Sequence, residues 1–167
     1  NGSGKSTLLN IFSINTLFDG SITINGKYKL NMNSVLEINE FRKINITFVP
    51  QEDLFFYGSS YENIKCFSNN IDKEIYNLFD TFNFKDKLEK NYNELSGGNQ
   101  KILSILRAVN FKRSIFIFDE PFNNLDTHNS EKLLKFMNSN YFDDKILILT
   151  NHNQDLDENE SFFKINI

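Results

Sequence analysis

Apolar positions along this chain change their spacing several times, and each change marks an element. From Lys5 to about Ile14, the residues Leu8, Leu9, Ile11 and Phe12 cluster at helical positions and predict a helix. Gly20-Ser21-Ile22-Thr23-Ile24 followed by Asn25-Gly26 reads as a strand running into a tight hairpin turn. Ile44 to Val49 reads as a second strand, stopped by Pro50. From Ser60 to about Asn93 the pattern turns helical, with Ile75, Leu78, Phe79 and Phe82 spaced by three and four. Gly97 to Phe111 predicts a long helix carrying Ile102, Ile105, Leu106 and Val109 on one face. Ile115–Phe118 and Ile146–Leu149 are continuous apolar runs, as expected of buried parallel strands. A helix from about His128 to Asn138 between them makes a β-α-β unit.

Composition narrows the class. With 167 residues the chain is the size of one domain, and its hydrophobic share of 40% and charged share of 24% are ordinary for a globular protein. A net charge of −4 argues against a nucleic-acid surface, which needs clustered Lys and Arg. The single Cys66 leaves no internal disulfide and suits a reducing compartment. No apolar run approaches the roughly 20 residues that span a bilayer, and no signal peptide is present. There is no internal repeat, low-complexity segment or obvious linker.

Chemistry enters with the opening residues, Asn1-Gly2-Ser3-Gly4-Lys5-Ser6-Thr7. A glycine-rich loop lets backbone N–H groups converge on phosphate oxygens, and the following helix aims its positive end at them. In that role Lys5 reaches the β and γ phosphates and the Ser6 hydroxyl binds Mg²⁺. The bland alternative is a Gly/Ser turn before a helix. The full motif reads G-x-x-x-x-G-K-[ST], which would put its first glycine before Asn1. The chain therefore reads as part of a longer protein that begins inside its own phosphate loop. By itself it is expected to aggregate and to bind nucleotide poorly.

Other candidates carry less information one at a time. Asp119-Glu120 closes an apolar strand, which two solvated acids also do. Gln51 after a strand is ordinarily a surface residue, and a lone His152 at a strand end is more often structural. Ser96-Gly97-Gly98 reads as a Ser-capped helix start, yet two glycines in a first turn ask for a reason, and close approach is one.

Taken in order, Gly2–Thr7, Gln51, Leu95-Ser96-Gly97-Gly98, Asp119-Glu120-Pro121 and His152 cover essentially the whole chain. That series resembles the ATP-binding cassette (ABC) ATPases. The resemblance implies an α/β P-loop NTPase fold over residues 1–167: a RecA-like core with a parallel sheet, an antiparallel β part and a small helical subdomain near 60–98. It implies that ATP is held by Asn1, Gly2, Ser3, Gly4, Lys5, Ser6 and Thr7. It further implies that Mg²⁺ is held by Ser6, Gln51 and Asp119, and that Glu120 polarises the attacking water with Gln51 and His152 as catalytic partners. Ser96, Gly97 and Gly98 are implied to bind the γ-phosphate of a second nucleotide-binding domain in a head-to-tail homo- or heterodimer. By the same resemblance, the dimer is expected to drive transmembrane domains, on the same or a separate chain, from the cytoplasmic face of a membrane.

Departures from the family pattern are Asn99 where Gln is usual, and Asn123-Asn124 where Ser-Ala is usual. A subgroup likeness follows Gln51: Phe55-Phe56, Gly58-Ser59 and Glu62-Asn63-Ile64 are similar to the matching segment of ABC exporters, as is Phe41-Arg42 upstream. Two departures weaken that likeness: Ser60 stands where an apolar residue is usual, and the segment from Ile64 to Leu95 is short and lacks the Glu-x-Gly pattern that exporters usually carry just before the signature. Alternatives are a soluble ABC ATPase acting in translation or DNA maintenance, and a degenerate cassette that binds nucleotide without hydrolysis. Glu120 and His152 argue against the second.

Overall fold

The structure is a computed structural model that describes residues 4–66, 68 and 70–151. Helix α1 (Lys5–Phe12) comes first, followed by strands β1 (Ile22–Ile24) and β2 (Tyr28–Leu30). These two strands pair antiparallel, through a turn in which Asn25 and Gly26 both take positive φ, 51° and 66°. Helix α2 (Val35–Asn45) leads into β3 (Ile46–Val49). The strand expected from Ile44 thus begins only at Ile46, because Ile44 and Asn45 close a helix the spacing did not announce. The Asn45 amide donates back to the Phe41 carbonyl at 2.9 Å, and α2 has only Ile38 fully buried, so little apolar periodicity betrays it.

The expected helical stretch from Ser60 to Asn93 resolves into α3 (Ser60–Lys65), α4 (Lys73–Thr81) and two single 3₁₀ turns. A reciprocal capping box starts α3: the Ser59 hydroxyl accepts from the Glu62 N–H, while Glu62 accepts from the Ser59 N–H. Asp72 caps α4 by accepting from the Glu74 N–H at 2.9 Å. Then come α5 (Gly97–Asn110), β4 (Ile115–Phe118), α6 (Thr127–Met137) and β5 (Ile146–Leu149).

Among the described residues, β3, β4 and β5 form a parallel sheet with β4 in the middle. Side chains alternate across it. Ile115 and Ile117 join Ile46, Leu9 of α1 and Ile38 of α2 on one face. Phe116 and Phe118 join α4, α5 and α6 on the other, and Phe142 meets the Phe116 ring edge-on at 5.4 Å. β4 is buried at every position, whereas β5 is only half-buried throughout, less than its sequence suggests. Ile64, Ile75, Phe79 and Phe84 of the helical stretch belong to the same apolar cluster as Phe116 and Phe118. One continuous core therefore supports both regions, and burying each Phe contributes about 1.5–3 kcal/mol.

Register is what positions the site. Val49 pairs with Phe118, and Phe118 with Leu149, so the strands end in line. The ladder continues one residue further, with the Asp119 N–H donating to the Val49 carbonyl at 2.9 Å and the Thr150 N–H to Phe118 at 3.1 Å. Pro50-Gln51, Asp119-Glu120 and Thr150-Asn151 consequently leave the sheet side by side at its carboxyl edge, the place where open α/β sheets bind ligands.

Candidate functional site

Thr150 organises the middle of this edge. Its hydroxyl donates to Asp119 Oδ1 at 2.6 Å and accepts the Glu120 N–H at 3.0 Å. Asp119 is 6% exposed, so its carboxylate needs such a partner. Glu120 turns out of the strand with φ of 50°, a left-handed conformation that costs a non-glycine residue about 1–3 kcal/mol. The Thr150 hydroxyl holds it there, and the turn brings the Glu120 carboxylate back over the edge. Gln51 Nε2 donates to Glu120 Oε2 at 3.1 Å, and the Asn123 side-chain amide donates to the same oxygen. Gln51, Asp119 and Glu120, read separately from the sequence, therefore form one bonded network.

The opening residues are placed in part. Gly4 caps α1 with φ of 85°, a left-handed conformation that favours glycine, and its carbonyl accepts from the Leu8 N–H at 2.9 Å. Lys5, Ser6 and Thr7 make the first turn of α1, with the Ser6 and Thr7 side chains exposed. Asn1, Gly2, Ser3 and His152 lie outside the described residues.

Ser96 caps α5: its hydroxyl accepts from the Asn99 N–H at 3.4 Å and from the Asn99 side-chain amide at 2.9 Å. Asn99 thus reinforces the cap. Gly98 has a reason within the chain, because a β-carbon there would lie 2.7 Å from the Asn124 carbonyl oxygen. At Gly97 the nearest atom would be Asn124 Cβ at 3.6 Å, an ordinary contact. The segment that follows Glu120 is therefore wedged against the start of α5.

The stretch after Gln51 is also locked. Asn63, 1% exposed, accepts the Phe56 N–H at 2.9 Å and donates to the Phe56 and Ser59 carbonyls, both at 3.0 Å. With Glu62 in the capping box and Ile64 fully buried, each residue of Glu62-Asn63-Ile64 has a structural task. Leu54 and Tyr57, 70% and 97% exposed, leave an apolar surface beside them.

Three contributors escaped the sequence reading. Thr150 is an ordinary polar residue until the register sets it beside Asp119. Asn123 shows its reach only after Glu120 has turned. Lys101 left a visible sign: it stands four residues before Ile105, on the buried face of α5, and is fully buried.

The hydroxyl of Ser6, the amide oxygen of Gln51 and the carboxylate of Asp119 are hard oxygen donors, the class that Mg²⁺ takes. The Thr150 hydroxyl on Asp119 is the kind of outer contact that orients a ligating carboxylate. The donor set fits that ion.

Comparison with known proteins shows the family and the fold. A family model described as "ABC transporter" matches residues 1–123. The lipoprotein-releasing system ATP-binding protein LolD of Buchnera aphidicola subsp. Acyrthosiphon pisum is 34% identical over 152 residues, covering 84% of this chain and 66% of LolD. The phosphate import ATP-binding protein PstB of Spiroplasma kunkelii is 32% identical over 171 residues, covering 92% of this chain and 62% of PstB. The chain thus spans a little under two thirds of these relatives. In fold it is similar to the ATP-binding cassette MJ0796, solved as a post-hydrolysis dimer with ADP and Pi. The TM-score is 0.75 at 24% identity, with 93% of this chain and 72% of that one covered.

Proposed function

This chain belongs to the ABC transporter family, and on that premise we propose that it binds and hydrolyses MgATP to drive transport across a membrane. The observation that carries the proposal is the bonded network of Gln51, Asp119, Glu120, Asn123 and Thr150 at the carboxyl edge of the sheet. It holds one carboxylate at the strand end and aims a second outward, which is what a hydrolytic phosphate site requires.

In this reading the α1 N-terminus receives the phosphates, with Gly2, Gly4 and Lys5 around them and Ser6 directed to the ion. Asn1, Ser3 and Thr7 complete the loop. Bound Mg²⁺ would neutralise phosphate charge there, held by Ser6, Gln51 and Asp119. Glu120 orients the attacking water and accepts its proton, while Gln51 and Asn123 keep that carboxylate in place. His152 is assigned to contact with the γ-phosphate from its place in the sequence. Ser96, Gly97 and Gly98 present the start of α5 to the ATP of a second cassette, so two sites close in a head-to-tail dimer. Closing on ATP and opening after hydrolysis would move transmembrane domains at the cytoplasmic face between two states.

Both relatives carry transporter names, which favours transport over the soluble alternatives in translation or DNA maintenance. One is named for release and the other for import, so the direction rests on this chain's own residues. The Phe55–Ile64 segment, with its exporter-like order, supports export. No helix among the described residues is long and apolar enough to cross a membrane.

Glu120→Gln tests the assignment. The amide keeps shape and removes the base, so turnover should fall by about 10²–10⁴-fold while ATP binding persists and an ATP-bound dimer accumulates. Near-normal hydrolysis by this variant would remove Glu120 from the mechanism.

A further inference from the structure

Lys101 is the one lysine placed wholly inside the core of the described residues. Its ammonium carries three donors, and three acceptors surround it: the Pro50 carbonyl at 3.4 Å, the Gln51 carbonyl at 3.0 Å and Asp53 Oδ1 at 3.0 Å. All three belong to the segment that carries Gln51. Further along α5, the Arg107 guanidinium lies over the Phe55 ring at 5.5 Å and the Phe56 ring at 6.0 Å. One helix therefore grips residues 50–56 at both ends, while its first turn abuts Asn124 through Gly98. Replacing both members of a buried ion pair by well-packed apolar groups is often neutral for stability, whereas removing one member leaves the other buried without its partner. Stability alone is thus a weak reason for a lysine here.

We infer that Lys101 is a positioning residue for Gln51: its ammonium ties the Gln51 backbone to α5, so the Ser96 end of the helix and the Gln51–Glu120 contact move as one body. The inference rests on the proposed hydrolytic reading and deepens it. Pressure on Ser96-Gly97-Gly98 from a partner's ATP is passed through α5 to the amide that touches Glu120, which makes one site responsive to the nucleotide in the other.

The test uses the full-length protein with Lys101→Met, Lys101→Arg and Asp53→Asn, each also in a Gln51→Ala background. Lys101→Met should lower kcat about ten- to a hundredfold, the scale of a misplacement near 1 Å. KM for ATP should change less than kcat, since the phosphate loop is untouched and only one of the three residues given to Mg²⁺ is displaced. Lys101→Arg should recover most of the rate, and Asp53→Asn, which keeps an acceptor, should lose less than Lys101→Met. In the Gln51→Ala background Lys101→Met should cost little more, because the group it positions is gone. Equal losses in both backgrounds, or an unchanged kcat, would overturn the inference. Amide hydrogen exchange over residues 51–56 gives a readout independent of turnover. It should quicken in Lys101→Met there and not in β4, and unchanged exchange would equally overturn the inference. Absence of ATPase activity in the unsubstituted protein would instead defeat the hydrolytic reading, leaving the exchange result to decide the tie between Lys101 and Gln51.

Discussion

Gly98→Ala is the sharpest probe of how the start of α5 meets the segment after Glu120. The new methyl would stand 2.7 Å from the Asn124 carbonyl oxygen. Carbon–oxygen contacts of this kind settle at about 3.3–3.6 Å, so helix or loop must yield by roughly 0.6–0.9 Å. Both atoms belong to backbone or are fixed to it, and neither can swing aside as a flexible side chain would. Overpacking on this scale costs about 1–3 kcal/mol, opposed by the gain of about 0.5–1 kcal/mol from replacing a helical glycine. Gly97→Ala collects the same helical gain but meets only an ordinary contact at 3.6 Å. The difference between the two variants therefore isolates the clash. In a chain of 167 residues it should appear as a Tm for Gly98→Ala roughly 2–12 °C below that of Gly97→Ala. Thermal unfolding of the two purified proteins, followed by circular dichroism, measures it. Equal midpoints, or a higher one for Gly98→Ala, would show that the Asn124 carbonyl does not rest on this helix.

The remaining outcomes concern the network and the dimer. Thr150→Val removes the bonds to Asp119 and the Glu120 N–H, at about 2–4 kcal/mol, and should lower Tm by roughly 5–15 °C. Thr150→Ser should restore most of it, and a serine variant as unstable as the valine would refute the role given to the hydroxyl. Ser96→Arg should abolish ATPase activity by blocking the surface offered to a partner. Mixed with Lys5→Ala, it should regain at most one working composite site per dimer, and activity indifferent to the mixing ratio would argue against shared sites.

Much of this architecture was legible because it depends on short-range spacing. Ile115–Phe118 announces a strand buried on both faces, and the Ile102-Ile105-Leu106-Val109 stripe places α5 almost to the residue. Helix α2 was hidden because most of its surface is solvated and Val35, Leu36 and Ile44 point outward. β5 read as more buried than it is, since an apolar run records what a strand can bury and not what covers it. In the site, Gln51, Asp119 and Glu120 could be named because their order along the chain, with Gly2–Thr7 and Leu95–Gly98, resembles one family. Thr150 and Asn123 could not, because they meet partners 31 and 3 residues away only through register and a turned backbone, while Lys101 showed only as a charge on an apolar helix face, its partner Gln51 lying 50 residues away.

The alternation along β4 has a consequence for how errors are caught. Phe116 and Phe118 fill one layer and Ile115 and Ile117 the other. Sliding this strand by a single residue would send each pair into a space shaped for the other. The core would then hold two rings where it has room for branched aliphatics, and voids where the rings had been, at a cost of several kcal/mol. The same slide would carry Asp119 and Glu120 out of line with Val49 and Thr150. Four apolar side chains that touch no nucleotide thus act as a checksum on the placement of two acids. A change that makes the pairs interchangeable, such as Ile117→Phe with Phe118→Ile, would be scored by an activity screen as a catalytic defect although every reacting group had been kept.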